Sequence, residues 1–430
     1  MSQATILVLV LVAIAAAIII GYKTNKNIGV IAMLFAYVLG VFVFGQPAAN
    51  ILALWPSSLL LTMLSIMLFY GYATTNGTLK LLAEKILYPF RHNVRILPFL
   101  VFICAMVLAA VAGNTAVTGF FPVLCFTNAL SAGWQPVLFS CISCFGALIG
   151  ASMPWAQTGA IISGILQGTE AAEFSQTYTL RIAVGTIIAF SIFIVILYFV
   201  TKSYQVKSVE MEKPAKFSPV QLKTVILLAI VALAVIVPSL AGVLAPQTAL
   251  GMMSKNFNLA LITISGAAFC AFLNLGDEKE VIKRIPLGTF IMICGVSTLV
   301  SLAQAMGATE YLGTLIGDGL PAWILPPIFV LLGGVMSTFS TYTAVIPILM
   351  PVAVSIAAPN GMDPVALLTA SFVGAACTTV SPFSSGGMMT MAQCPDEAKR
   401  TALFKQQFIA AMSCMAFMTV MAAVGLLGII

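Results

Sequence analysis

Apolar runs of about 18 to 22 residues recur along this chain, each long enough to carry a helix across a hydrocarbon layer of roughly 30 Å at 1.5 Å per residue. In that solvent such a run satisfies its own backbone only as a helix. Composition agrees. Of 430 residues, 61% are hydrophobic and 7% charged, against the roughly 25% charged content of soluble domains, and the mean hydropathy is +1.09. The first run, Ile6 to Ile20, has nothing basic before it and Lys23 and Lys26 after it, so it is expected to span the membrane rather than to be a cleaved leader. The net charge of +6 sits in short loops and forms no basic domain, which excludes a nucleic-acid partner and leaves the lipid bilayer as the surroundings. Nine cysteines, an odd number, fall almost entirely in apolar runs, so no disulfide framework is implied, and Cys141 and Cys144 are expected to pack as small hydrophobes.

Spanning helices are predicted near 4–21, 28–45, 57–75, 136–167, 179–201, 221–242, 256–275, 286–304, 364–392 and 406–428. Two further apolar stretches, 96–130 and 321–358, are too long for one span and too interrupted for two. Each has small polar residues at its middle, Gly113-Asn114-Thr115 and Ser340-Thr341-Tyr342-Thr343, and each is expected to enter the membrane, turn and leave by the same side. With the N-terminus outside and both stretches re-entrant, 17 of the 19 Lys and Arg fall in the cytoplasm, and only Arg181 and Lys255 fall outside. That is the loop asymmetry of the positive-inside rule, and counting either hairpin as one span scatters it. Leu79 to His92, apolar on one face and basic on the other, is expected to lie along the cytoplasmic interface, with His92 solvated.

The hairpins belong to an internal repeat. A shift of 228 residues aligns Gly113–Gly164 with Thr341–Ala392 without gaps, and 12 of 52 positions are identical, among them Pro136/Pro364, Gly146/Gly374, Pro154/Pro382 and Gly159/Gly387. Each copy then has three spans, a hairpin, an interrupted span and a last span, and an odd number of crossings places the copies in opposite orientation. The fold expected is an all-α polytopic membrane protein: two inverted repeats, about ten spanning helices, two re-entrant hairpins and two interrupted helices. The first repeat covers 1–201 with a cytoplasm-opening hairpin at 96–130. A polar linker covers 202–220, and the second repeat covers 221–430 with an outside-opening hairpin at 321–358. Both termini are placed outside a bacterial-type inner membrane.

The interrupted spans carry Gly, Pro and hydroxyls where a helix should be continuous, at Gly150–Gly159 and again at Thr378–Gly387. Proline removes an amide hydrogen and frees a carbonyl, and glycine permits the turn. One such cluster is ordinarily a kink, but four paired by a repeat point to one site where breaks and hairpin tips converge. Freed carbonyls and hydroxyls suit a hard cation such as Na⁺, and half-helix N-termini attract anions. All 13 Asp and Glu fall outside the predicted spans, which disfavours a proton relay and favours cation coupling through neutral oxygens.

The hairpin tips, interrupted spans and inverted repeat resemble the ion transporter superfamily, whose divalent anion:sodium symporter branch carries Ser-Asn-Thr in each hairpin. Gly21-Tyr22-Lys23-Thr24-Asn25-Lys26-Asn27-Ile28-Gly29 and Asn76-Gly77-Thr78-Leu79 are similar to the dicarboxylate carrier group named for the malonate carrier MatC. The resemblance matches the first Ser-Asn-Thr to Gly113, Asn114 and Thr115 and the second to Thr341, Tyr342 and Thr343. Gly113 replaces a serine and Tyr342 an asparagine, which removes two carboxylate contacts of the family and implies a smaller or partly apolar ligand. Substrate contacts are expected at Asn114, Thr115, Pro154, Trp155, Thr341, Tyr342, Thr343, Ser381 and Pro382. The resemblance further implies Na⁺ at Gly113, Asn114, Ser152, Thr158, Gly159, Ser340, Thr341, Thr379, Ser384 and Ser385, a homodimer and elevator-type movement. No other cofactor is expected.

These readings favour sodium-coupled uptake of a small organic anion, most simply a dicarboxylate. The alternatives are another substrate on the same fold, such as a sulfonate, a monocarboxylate or a neutral metabolite, or the membrane subunit of a binding-protein-dependent transporter. An enzyme is not indicated, since the chain has no HExxH, no GxSxG and no cluster of His and acid.

Overall fold

A computed structural model describes residues 2–24, 26–112, 117–118, 121–122, 125–126, 134–206, 213–244, 247–253, 256–285, 287–308, 311, 321–338, 341–357, 362–392, 394 and 397–428. These residues form helices and turns and no strand. In chain order the helices are α1 (Gln3–Thr24), α2 (Ile28–Tyr37, continued by a wider turn over Val38–Val43), α3 (Ala48–Ala53), α4 (Ser57–Thr75), α5 (Thr78–Leu87), α6 (Leu97–Ala112), α7 (Pro136–Ala151), α8 (Gln157–Gln167) and α9 (Ser175–Val200). They continue as α10 (Pro219–Leu244), α11 (Ala249–Met253), α12 (Leu259–Phe272), α13 (Glu278–Lys283), α14 (Leu287–Ala305), α15 (Leu325–Thr338), α16 (Tyr342–Ala357), α17 (Pro364–Cys377), α18 (Ser385–Ala392) and α19 (Glu397–Ala423).

Among the described residues, five stretches are long and apolar enough to cross a membrane alone: Gln3–Gly21, Ala48–Thr75, Ala172–Val200, Pro219–Gly242 and Lys399–Ala423. Other predicted spans are shorter apolar helices. The sequence itself trims them. Asn258 caps α12 by accepting from the Leu261 amide, and Asn274 beyond its end adopts φ +50°, a left-handed conformation that stops a helix. The chain is a multi-pass, all-helical membrane protein.

The 228-residue offset of the sequence recurs in the helices. Leu97 and Leu325, Pro136 and Pro364, and Gln157 and Ser385 all begin helices. Their packing repeats as well. α6 lies against α7 as α15 lies against α17, and α2 against α14 as α4 against α12. A Cβ added at Gly146 would come within 3.1 Å of the Phe102 carbonyl oxygen, and one added at Gly374 within 2.7 Å of the Val330 carbonyl oxygen, so both close approaches require glycine.

These contacts fix direction. Ala105 touches Gly146 while Met106 and Ala110 meet Gly150, so α6 and α7 run parallel. Gly333 meets Ala375 and Ser337 meets Thr378, so α15 and α17 do too. Between them α16 runs back, with Tyr342 against Phe372 and the Met362 amide on the Ala357 carbonyl. α15 has 14 residues and α16 has 16, hence about 21 and 24 Å at 1.5 Å per residue, each short of the roughly 30 Å hydrocarbon layer.

Two apolar cores run through the described helices and share α14, whose Phe290, Ile293 and Cys294 pack in the larger one. The smaller joins α1, α2 and α14 through Ala17, Ala32, Ala36, Val296 and Leu299, and the larger includes α6, α7, α9, α15, α16, α17 and α19. The motifs resembling the MatC group act as ties between repeats. Asn27 caps α2 and donates to the Gly288 carbonyl at 2.7 Å. Asn76 donates to Thr224 and to the Leu275 carbonyl, both at 2.9 Å, while its own carbonyl accepts from Gln221.

Candidate functional site

The first helix break spans Ser152–Ala156 and the second Thr378–Ser384. Both are built alike. A Cβ at Gly159 would sit 1.9 Å from the Met153 carbonyl oxygen and 2.8 Å from that of Ser152, and a Cβ at Gly387 would sit 2.0 Å from the Ser381 oxygen and 2.5 Å from that of Val380. Each half-helix therefore starts with its backbone pressed against the carbonyls of its own break, a closeness only glycine allows. Pro154 and Pro382 are buried beside them. α8 begins after Ala156 in extended backbone with no side-chain cap, which leaves amide donors and the positive end of the helix facing the break.

The second break is tied to the first arm of its hairpin. Ser337 donates to the Ala375 carbonyl at 2.6 Å and shares a 2.6 Å hydrogen bond with Thr378, whose hydroxyl also donates to the Gly334 carbonyl at 2.9 Å. Ser381 donates to the Thr338 carbonyl at 3.1 Å. Behind the break, fully buried Gln407 of α19 donates to Ser140 at 2.7 Å, Thr390 at 2.8 Å and the Gly387 carbonyl at 3.2 Å.

One contact joins the repeats at their predicted sites. The Tyr342 hydroxyl, at the start of α16, lies 2.9 Å from the Thr158 hydroxyl in the first turn of α8, and both residues are buried. Beside it the Thr341 and Thr343 hydroxyls are 3.0 Å apart. Ser152 and Thr379 turn back onto the carbonyls of Ile149 and Ala376. Three buried polar atoms at the breaks have no hydrogen-bond partner among the described residues: Trp155 Nε1, Gln157 Oε1 and Ser384 Oγ. Ser385 is exposed. Gly113, Asn114, Thr115 and Ser340 lie outside the described residues. No group of three or more His, Cys, Asp or Glu suited to a metal occurs among the described residues, and the oxygens gathered at the breaks are neutral.

A cavity of about 550 Å³ opens between α4, α8, α14 and α16. Its wall includes Ser297, Ser301 and Gln304 of α14, which sequence reading passed over. Their spacing was the available signal, since i, i+4 and i+7 put three polar residues on one face of an apolar helix. Sequence reading also missed Ser337, Thr378's pairing and Gln407, which become visible only once α15, α17 and α19 are packed.

Residues 1–151 match the family model described as the dicarboxylate carrier protein MatC N-terminus. No curated protein matches the chain. Among solved structures, the fold is similar to that of the Alcanivorax borkumensis YdaH transporter, described as having an unusual topology, with a TM-score of 0.61, 15% identity and coverage of 89% of this chain and 88% of that one. The likeness to the MatC-type carriers is carried by the N-terminal region, and the likeness to the YdaH transporter is one of fold.

Proposed function

We propose that this protein is a secondary transporter that couples uptake of a small organic anion of dicarboxylate type to Na⁺, through two inverted repeats that meet at their breaks and hairpin tips. The Thr158–Tyr342 hydrogen bond carries this reading, because it brings the broken helix of one repeat to the hairpin tip of the other. The match of residues 1–151 to MatC-type carriers supports the substrate class. Neutral oxygens at both breaks suit Na⁺ rather than a proton.

Several contacts support re-entrant hairpins and sidedness. Tyr198 donates to the Arg95 carbonyl and Trp134 to the Ser203 carbonyl, both at 3.1 Å, so Arg95 and Trp134, which flank the first predicted hairpin, both lie at one end of α9. At the other end Arg181 pairs with Asp363 at 2.9 Å, and both are predicted outside. An elevator on this fold would hold α1 and α2, which pack in the smaller core, in the static scaffold and carry the hairpins and broken helices in the moving body; assembly as a homodimer completes the proposal, in a bacterial-type inner membrane.

The test is uptake of labelled malonate and succinate into proteoliposomes. A Na⁺ gradient is expected to drive accumulation and a proton gradient without Na⁺ to drive little. Equal uptake under the two gradients rejects the coupling, and no uptake of either acid rejects the substrate class.

A further inference from the structure

The cavity of about 550 Å³ falls within the roughly 300–1,000 Å³ of small-ligand sites, yet it lies apart from the breaks. Gly164 and Pro347, which line it, stand six and five residues beyond Thr158 and Tyr342, hence about 7 to 9 Å farther along α8 and α16 at 1.5 Å per residue. The hydrogen-bonded pair therefore lies beneath the cavity, on the side toward the breaks.

The lining is polar without being charged. Ser57 and Ser58 open α4, Ser297, Ser301 and Gln304 stand on one face of α14, and Gln167 ends α8, with no Lys, Arg, His, Asp or Glu among the described lining residues. None of these six side chains hydrogen-bonds a described residue. The buried Ser297 hydroxyl is without a partner, and serines inside apolar helices ordinarily bond back to their own backbone, as Thr298 next to it does. α4 starts after Pro56 with no side-chain cap, so its positive end and amide donors open toward the same space. Donors without a fixed partner, a helix N-terminus and no acidic side chain among the described lining residues favour a carboxylate over a cation.

We infer that this cavity is a second carboxylate site, made by α4 and the Ser297–Ser301–Gln304 face of α14, where the substrate anion docks before it reaches the breaks. The inference rests on the proposed function for its substrate class and for placing the cavity outside. Because the cavity stands beyond the Thr158–Tyr342 pair along α8 and α16, an anion held here is recognised first by the polar face of α14 and then passed over that pair. The volume admits a dicarboxylate of three or four carbons, with one carboxylate on the serines and the other toward Tyr342.

The experiment measures malonate and succinate affinity of the purified full chain at saturating Na⁺. The variants are Ser297→Ala, Ser301→Ala and Gln304→Ala, single and combined, with Ser265→Ala, which bonds the Leu261 carbonyl on an exposed face, as control. Loss of hydrogen bonds to a charged ligand predicts roughly tenfold weaker binding for the combined variant, with thermal stability close to wild type and the control unchanged. In addition, Ser301→Cys should react with a membrane-impermeant thiol reagent, slowed by malonate, against a background in which all nine native cysteines are buried. Wild-type affinity in the combined variant, or labelling of the Ser301→Cys variant that malonate does not slow, overturns the second site and leaves the proposed function standing. Absence of malonate and succinate binding to the wild-type chain overturns the proposed function, and the second site with it.

Discussion

Replacing Gly387 by alanine tests whether the break geometry, rather than any single side chain, makes the proposed Na⁺ site. The added Cβ would lie 2.0 Å from the Ser381 carbonyl oxygen and 2.5 Å from its carbon, both backbone atoms that cannot rotate away. α18 has to shift outward. That shift strains the 3.0 Å bond from the Gly387 amide to the Thr379 carbonyl and the 3.2 Å bond from Gln407 to the Gly387 carbonyl. Overpacking of this kind costs about 1–3 kcal/mol, which corresponds to a roughly 5- to 150-fold loss in an equilibrium that depends on the break. The Na⁺ concentration for half-maximal malonate uptake should rise by that order, and Gly159→Ala should behave alike, because its Cβ would lie 1.9 Å from the Met153 oxygen. Gly288→Ala is the control, since its Cβ would meet only Asn27 Nδ2 at 3.7 Å. Na⁺ dependence in folded Gly387→Ala and Gly159→Ala indistinguishable from that of Gly288→Ala would refute the reasoning.

Two further outcomes are expected. Tyr342→Phe and Thr158→Val each remove one side of a buried hydrogen bond and should weaken substrate binding, but the double variant should lose less than the sum, with a coupling of about 0.5–1.5 kcal/mol in a double-mutant cycle; additive losses would mean the two hydroxyls act separately. Asn76→Ala deletes hydrogen bonds to Thr224 and the Leu275 carbonyl, each worth about 0.5–1.5 kcal/mol net, so it should lower thermal stability in detergent while leaving Na⁺ dependence alone, and a changed Na⁺ dependence with unchanged stability would contradict its role as a tie.

The sequence was most legible where covalent geometry leaves a mark. Pro136 and Pro364 start helices because proline suits a first turn, and both stand out in the repeat. Gly159 and Gly387 were visible for the same reason, although their purpose, contact with the carbonyls of Met153 and Ser381, was not. Helix ends were read less well. α19 begins at Glu397, ahead of the predicted 406, because its first turns carry Lys399, Arg400 and Lys405 and continue the helix beyond its apolar part. The Ser337–Thr378 pair and the Gln407 network could not be read, since each depends on which helix lies beside which, and a lone serine or glutamine in an apolar run carries no such information. Cross-repeat contacts such as Thr158 with Tyr342 lie 184 residues apart, beyond any local pattern.

The two breaks share a backbone and differ in what they present, and that difference has a consequence for coupling. Under the 228-residue offset Trp155 answers to Phe383, Gln157 to Ser385 and Thr158 to Gly386. The first break offers a buried indole N–H and a buried amide oxygen without partners, together with a hydroxyl bonded to Tyr342. The second offers one buried serine hydroxyl, while its other hydroxyls are held by Thr338, Gly334 and Ala376. A cation needs carbonyls at fixed distances, which both breaks supply through the same glycine-enforced contact. An anion needs donors that are not already committed; each break has one, the Trp155 indole N–H at the first and the Ser384 hydroxyl at the second, and the first adds the uncapped start of α8. Under the proposed function, the shared backbones suit like ions at two places, and the open amides of α8 draw the organic anion toward the first break.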